Sequence, residues 1–592
     1  MFAAVALAAT APALLAYNLA PSPTFLNQAL ALGLWGAFVA LSPSPGAGRS
    51  IWALLLVLGS MALSVAWSWA PGGLPASLAL SGLGLLAAAA VLLAGGAGAR
   101  ASSSAQDMFV LFCAAWVLAG VLNAGVAAVQ VFAPSWTDGD WIASSSIPGR
   151  AVGNLRQPNH LSSLLLWAAI AVVALAELRR IGWRLAAPLL ALMVFGVVLS
   201  ASRTGLLSVL LLALWGLADR RLARSTRALL LVAPLLYAAA WVGMAQWAGA
   251  ASHSFGGAAR LAESDISGSR FGIWANTLAL IRAQPLGGVG WGEFNFAWSL
   301  TPFPSRPTAF FDHTHNLPLQ LAVELGLPLA TLVLALLLWA LWRAARAAWA
   351  TPAGLGAAQR CALMMVLMIG LHSLLEYPLW YAYFLLPTAW AWGFALGGDG
   401  AASVTAGAAA SVSSSVGNSV GSSDTRSSAL TLAGAALVAG AVYSVWDYQR
   451  VALIFSAPDG AAPLVERIAQ GQRSLFFAHH ADYAAVTSNP APADDIAAFD
   501  RATHYLLDSR LMTAWARHLA ARGEIDAARH VAARLREFGR DEADDFFSVC
   551  VDEVAVRAAA PVNPGSFAAA ASAPFQCELP VRAPGWREFL PR

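Results

Sequence analysis

The chain has 592 residues, 58% of them hydrophobic and 11% charged, with 24 Trp and a mean hydropathy of +0.62, which excludes a soluble protein built around a single core. There is no lysine, and the arginines fall in short clusters between apolar runs rather than along a stripe, so nucleic acid is not an expected partner. The net charge of +3 decides nothing, because a membrane protein is oriented by how arginine is shared among its loops.

A bilayer core of about 30 Å takes roughly 17 to 25 apolar helical residues per crossing. Runs that fit, or nearly fit, cover residues 2–19, 28–41, 51–69, 77–98, 108–132, 161–177, 185–200, 204–217, 228–249, 321–342, 361–376, 379–396 and 429–446. They predict an all-α, polytopic bundle of about 13 spans. The first run has no basic segment before it and no clear stop after Ala20, so it reads as a retained span rather than a signal peptide.

Arg49, Arg100, the cluster Arg179, Arg180 and Arg184, the cluster Arg220, Arg221, Arg224 and Arg227, and the group Arg343, Arg346 and Arg360 occupy alternate connections. Positive residues stay inside, so these connections and the N-terminus are expected to be cytoplasmic. The other face then receives residues 133–160, the turn near 200–203, a long loop over 250–320, the turn at Tyr377 and Pro378, and everything after about residue 447. The chain thus divides into a membrane core over 1–400, a Ser/Gly/Ala-rich cytoplasmic linker over 401–428, a last span over 429–446 and an outer domain over 447–592.

In that tail, Asp494 to Leu507, Met512 to Arg522 and Glu524 to Phe538 carry apolar residues at helical spacing. They predict a small helical domain whose paired helices could be degenerate tetratricopeptide-like hairpins. Cys113 and Cys361 lie in apolar runs and are expected in the core. Cys550 and Cys577 share the tail and can pair in an oxidising compartment.

Four polar clusters on the outer side are candidates for function, because charged and amide side chains are costly beside a bilayer. The first is Asn154, Arg156, Gln157, Asn159 and His160 before a span. Capping by Asn159 is the plain reading, but a cap needs one such residue. The second is Ser200 to Gly205 with Arg203, and the third is Gly268 to Trp274 with Arg270, followed by the glycine-rich Pro285 to Phe294. The last is Asp312, His313, Thr314, His315 and Asn316. Asp312, His313 and His315 could chelate zinc, but a further placed ligand is missing from the pattern, so no metal is expected.

Two arginines suit a diphosphate, since each guanidinium offers paired donors, and a nearby histidine can serve as base on an acceptor hydroxyl. Together they describe glycosyl transfer from a phosphorylated lipid without a nucleotide. The outer loops show no pair of placed acids of the kind a glycosidase uses.

The order RQPNHLS, SASRTG, SRFGIW, PLGGVGWGEF, DHTHN and LLEYPLWYAYFLLP resembles the membrane core of bacterial protein O-oligosaccharyltransferases, the pilin glycosylation ligase type within the O-antigen ligase/polymerase superfamily. His315, Asn316 and Gly326 match that group's His-Asn pair and spaced glycine, while Leu329 departs from its pattern. The resemblance implies a catalytic role for His315 and Asn316 and diphosphate binding by Arg203 and Arg270. Positioning of glycan or acceptor would fall to Arg156, Gln157, Asn159, His160, His313 and Tyr377, with Glu376 beside them. It implies a Gram-negative inner membrane, a periplasmic tail and no cofactor. The partners would be an undecaprenyl diphosphate-linked oligosaccharide, membrane lipid and exported acceptor proteins. An O-antigen ligase or polymerase shares the donor and differs in the acceptor. A glycan transporter or scaffold would need polar residues through the midplane.

Overall fold

A computed structural model describes the chain except residues 46–47, 71, 252–253, 258–267, 309, 398–425, 489–495, 540–542, 551–573 and 591–592. The linker expected over 401–428 therefore lies almost wholly outside the described residues. All described regular structure is helical. Among the described residues, nine helices are long and apolar enough to cross a membrane. Phe2–Leu14, Phe25–Leu41, Arg203–Ala218 and Ala382–Leu396 are shorter apolar helices. The chain is a polytopic helical membrane protein, and it divides into two compact units.

The first unit comprises residues 1–61, 84–264 and 332–446. It is built from α1 (Phe2–Leu14), α2 (Phe25–Leu41), most of α3 (Trp52–Trp69) and α4 (Ala76–Ala101), α5 (Ala105–Phe132), α6 (Pro158–Glu177), α7 (Trp183–Ser200), α8 (Arg203–Ala218) and α9 (Arg224–Ala251). At its centre is α6, buried on every side from His160 to Leu175, as its all-round apolar sequence requires. Close helix contact needs small residues, since lipid supplies no hydrophobic drive between spans. A Cβ on Gly96 of α4 would stand 2.0 Å from the Trp390 carbonyl oxygen, and one on Gly393 would stand 2.0 Å from that of Leu93. Beside this crossing Trp390 stacks on Phe112 with ring centroids 4.4 Å apart.

The second unit comprises residues 62–83, 265–331 and 447–592. Two helices, α10 (Gly268–Ala283) and α11 (Phe294–Leu300), lie inside the stretch the hydropathy pattern leaves as a loop. The following span, α12 (Leu317–Ala350), starts in this unit and continues into the first, which also holds α13 (Leu355–Ser373) and α14 (Ala382–Leu396). The last span is longer than the expected 429–446: α15 runs from Ser428 to Phe455 and carries the buried Asp447 beyond the apolar run. Asp447 accepts from the Ser474 hydroxyl at 2.7 Å and the Phe476 amide at 3.0 Å, so the helix end is tied to the tail instead of fraying.

The tail contains α16 (Leu464–Gly471), α17 (Ala478–Thr487), α18 (Ile496–Ala502), α19 (Ser509–Ala521) and α20 (Ile525–Glu537), with α17 packed on α18 and α19 on α20. This is the helical tail expected from the apolar spacing. Its core is shared with α11, whose Phe294, Phe296, Trp298 and Leu300 are buried among Phe499, Leu511, Val531 and Phe538. Cys550 and Cys577 form a disulfide at a sequence separation of 27. Replacing both by serine should cost the tail about 3.5 kcal/mol by the loop-entropy relation. Thermal unfolding of the detergent-solubilised protein, with and without reductant, reads this: the reductant effect should vanish in the double variant.

Burial dominates the titration of two tail histidines. Enclosure pushes His480 down to about 4. The same burial brings His530 to about 4, although its bond to the Leu300 carbonyl pulls the other way. Unfolded histidine titrates near 6.5, so between the two values the unfolded chain binds more protons. The stabilisation is complete above pH 6.5 or so and is lost as pH falls toward 4, by roughly 3 kcal/mol per histidine. Hydrogen exchange of peptides from α17 and α20 should accelerate over this window at equal intrinsic rate, and unchanged protection would refute it.

Candidate functional site

The candidate residues divide between the two units. In the first, two of the four polar clusters meet the LLEYP segment. The α6 cap is Gln157, not Asn159 as the plain reading of the sequence had it. The Gln157 Oε1 accepts from the amides of Asn159 and His160 at 2.5 and 3.0 Å, with Pro158 at the first helical position where its missing N–H costs nothing.

Capping by Gln157 leaves the Asn159 side chain for tertiary bonds. Its Nδ2 donates to Glu376 Oε1 at 3.0 Å, and its Oδ1 accepts from the Ser202 hydroxyl at 2.6 Å. Ser202 in turn caps α8 by accepting from the Gly205 amide at 2.9 Å. Arg203, the first residue of α8, thus emerges directly from a junction of RQPNHLS, SASRTG and LLEYP.

Around that junction, Arg156 sits in the left-handed region (φ 56°) and donates from Nη1 to the Ala16 carbonyl at 2.7 Å. His160 is buried, its Nδ1 3.1 Å from the Tyr383 hydroxyl and its ring against Tyr381. Tyr381 stacks on the half-buried Tyr377 at 6.1 Å. Arg156 thus ties the loop to Ala16, and His160 packs among the tyrosines.

In the second unit, α12 begins at the Asp312–Asn316 cluster. Asn316 is its cap, accepting from the Leu319 amide at 3.1 Å. Thr314 is fully buried and bonded from three directions. Its amide donates to Gln320 Oε1 at 2.8 Å, its hydroxyl donates to the Asn316 carbonyl at 2.9 Å, and its own carbonyl accepts from Trp274 Nε1 at 3.0 Å. Gln320 is itself held by Glu324 one turn on, at 2.9 Å. With Thr314 clamped, the next residue is forced into the left-handed region: His315 has φ 54°, a conformation that costs a non-glycine residue free energy and persists only when its surroundings over-determine it.

The His315 ring is half-buried, edge-on to Phe311 at 5.6 Å, while His313 Nδ1 lies 3.1 Å from Asp312 Oδ1. Among the described residues no three His, Cys, Asp or Glu side chains converge as metal ligands. Arg270 is half-buried one turn before Trp274 on α10, so the two share a helix face and Trp274 draws that face to the His315 loop.

Gly326 has a local reason as well. Inside α12 it takes φ 76° and ψ 161°, a combination essentially reserved for glycine. The break admits the Pro285–Gly290 loop: the Val289 and Gly290 amides donate to the Val323 and Glu324 carbonyls at 2.8 and 3.1 Å, and the Leu327 amide donates to the Pro285 carbonyl at 2.8 Å.

Three family models match the chain: O-antigen ligase over residues 188–334, protein glycosylation ligase over 151–176, and the C-terminal region of the virulence factor membrane-bound polymerases over 360–547. By sequence, the chain is similar to O-antigen ligases and protein glycosylation ligases. The resemblance drawn from its motifs is thereby supported, since the first two matches contain RQPNHLS, Arg203, Arg270, His315, Asn316 and Gly326. Among curated proteins it is 27% identical over 323 residues to the general O-oligosaccharyltransferase of Acinetobacter baylyi, covering 50% of this chain and 52% of that one. It is also 27% identical over 269 residues to the ComP-specific O-oligosaccharyltransferase of the same organism, covering 43% and 45%. The chain spans about half the length of the curated relatives it matches.

The order of the motifs was readable from sequence, but the clamp on Thr314 was not. Trp274 stood within a quoted motif, whereas Gln320 and Glu324 look like ordinary polar positions of a helix start. Only their four-residue spacing, which places them on one face, gives a signal.

Proposed function

We propose that this protein transfers a preassembled oligosaccharide en bloc from undecaprenyl diphosphate to serine or threonine hydroxyls of exported proteins such as pilins, on the periplasmic face of the inner membrane and without a metal. The observation that carries the reading is the left-handed His315 next to a clamped Thr314, in the loop to which Trp274 ties the Arg270-bearing face of α10. His315 takes the proton of the acceptor hydroxyl, and Asn316 fixes the helix start that holds it. The hydroxyl oxygen bonds to the anomeric carbon as the bond from that carbon to the diphosphate breaks, inverting the centre, and the diphosphate leaves with the lipid.

Arg270 offers paired donors to the charge that develops on the departing diphosphate. Arg203 is assigned the same ligand class. Asn159, Gln157, Arg156, His160, His313 and Tyr377 position glycan or acceptor, directly or through the bonds described. The tail disulfide supports an oxidising compartment for that domain, and the protein glycosylation ligase match at RQPNHLS favours a protein acceptor.

The deciding experiment supplies cells with a lipid-linked glycan, a pilin-like acceptor and this protein, and measures the acceptor by intact mass. A glycan-sized mass shift is the expected result. A bare acceptor with glycan appearing on lipid A core, or lengthening on its carrier, would instead assign a ligase or polymerase; the match over 360–547 to membrane-bound polymerases makes that the alternative to exclude.

A further inference from the structure

The tail helices enclose a groove of about 640 Å³, the size of a cleft that takes a ligand or a few peptide side chains. Its lining mixes apolar and charged side chains, with Phe499 and Leu519 beside the rings of Trp515 and Phe589, which meet at 5.3 Å. Phe589 comes from the C-terminal segment, which runs back across α20. That segment is fastened by the Cys550–Cys577 disulfide, by the Arg529–Glu578 ion pair and by Arg536, which donates to the Gln576 carbonyl at 3.0 Å. The wall is thus covalently and electrostatically fixed, and the groove is built rather than left over.

Four carboxylates, two arginines and His518 line the cleft. Both arginines are matched on the spot, Arg522 to Glu524 at 2.9 Å and Arg582 to Glu588 at 2.7 Å. Asp526 accepts from the Val581 amide at 3.1 Å and faces Arg529. The exposed Asp500 shares the field of Arg522 with Glu524 and has Arg501 beside it, and the four carboxylates against two arginines leave the lining acidic on balance. Aromatic rings interleaved with carboxylates suit a polypeptide that presents a hydrophobic side chain next to a basic one.

The groove is also wired to the His315 loop within the same unit. Just after α18, His504 Nδ1 lies 2.7 Å from the buried Glu293 carboxylate, and the Leu507 amide donates to Asn295 Oδ1 at 2.8 Å. Asn295 Nδ2 donates to the Phe311 carbonyl at 2.9 Å, and the Phe311 ring packs against His315. A polypeptide seated in the groove is accordingly held by the body that carries the proposed base.

We propose that this groove docks the acceptor protein, seating an apolar or aromatic side chain on Trp515 and Phe589 with a neighbouring lysine or arginine beside Asp500. This rests on the protein-acceptor reading above. The groove sets how well the acceptor binds and takes no part in the chemistry.

The test uses the full-length protein in nanodiscs with saturating lipid-linked donor and a pilin-like acceptor that the unmodified protein glycosylates. Asp500→Arg and Ile496→Asp, both at exposed positions, should raise the acceptor KM by about tenfold, the equivalent of about 1.4 kcal/mol, with kcat and the donor KM within about twofold of the parent. Independently, a photo-crosslinking residue at Ala527, which also lines the groove, should capture that acceptor in an otherwise unchanged protein. Unchanged acceptor KM in both variants, or no crosslink under conditions of turnover, overturns the groove while leaving protein glycosylation intact. Failure of the parent protein to modify any protein acceptor, with glycan moving to lipid instead, overturns both.

Discussion

His315→Ala should lower glycan transfer by about 10² to 10⁴ at matched membrane abundance, the usual contribution of a positioned general base. Alanine alone leaves an ambiguity, because His315 occupies a left-handed backbone conformation (φ 54°) and its replacement can also disturb the loop. Asparagine tolerates that conformation better than most residues but offers no base of comparable strength. His315→Asn should therefore keep the thermal stability of the parent and still lose transfer. Intact-mass measurement of the acceptor, run beside a melting curve for each variant, separates the two effects. Near-parental transfer by His315→Asn would remove the base from this residue and leave it an orienting role. Loss of transfer together with stability would show instead that the loop conformation is what matters.

Gly326→Ala should destabilise the second unit by about 3 kcal/mol or more, since both its backbone conformation and its surroundings exclude a side chain. A Cβ there would stand 2.2 Å from the Leu286 carbonyl oxygen, a backbone atom that cannot swing aside as a side chain would. The contact is reciprocal: Gly288 has φ 65°, and a Cβ on it would stand 2.5 Å from the Glu324 carbonyl oxygen. Either substitution pushes the Pro285–Gly290 loop away from α12 and breaks the same three backbone hydrogen bonds. The double variant should thus be much less destabilised than the sum of the singles, as for residues that share one contact. Melting temperatures of the two singles and the double in detergent check this. A simple sum would mean that the two glycines act at separate places.

This reading gives the spaced glycine after the His-Asn pair a physical role. Glu324 precedes the break and reaches back through Gln320 to the Thr314 amide, so the fold at Gly326 and the presentation of His315 belong to one network. Activity loss in the glycine variants is expected to follow from loop geometry rather than from any contact of Gly326 with substrate.

What the sequence determined by itself was the class of molecule. Long apolar runs against a low charge content fix a membrane bundle, because the length and hydropathy of a span are local properties. The sequence also offered polar clusters as candidates for function, because a bilayer makes such side chains costly. The motif order agrees with the family matches over 151–176 and 188–334. The tertiary structure decided which polar residue performs which task. Gln157 rather than Asn159 caps α6, which releases Asn159 to join Ser202 and Glu376 across long sequence separations. Thr314, one member of a polar cluster in the sequence, is the clamp because Trp274, Gln320 and the start of α12 surround it, and no periodicity encodes a meeting of separate segments. The extension of α15 to Phe455 shows the same division. Hydropathy ends the span where charge begins, whereas a buried carboxylate satisfied by Ser474 and Phe476 lets the helix continue into the tail.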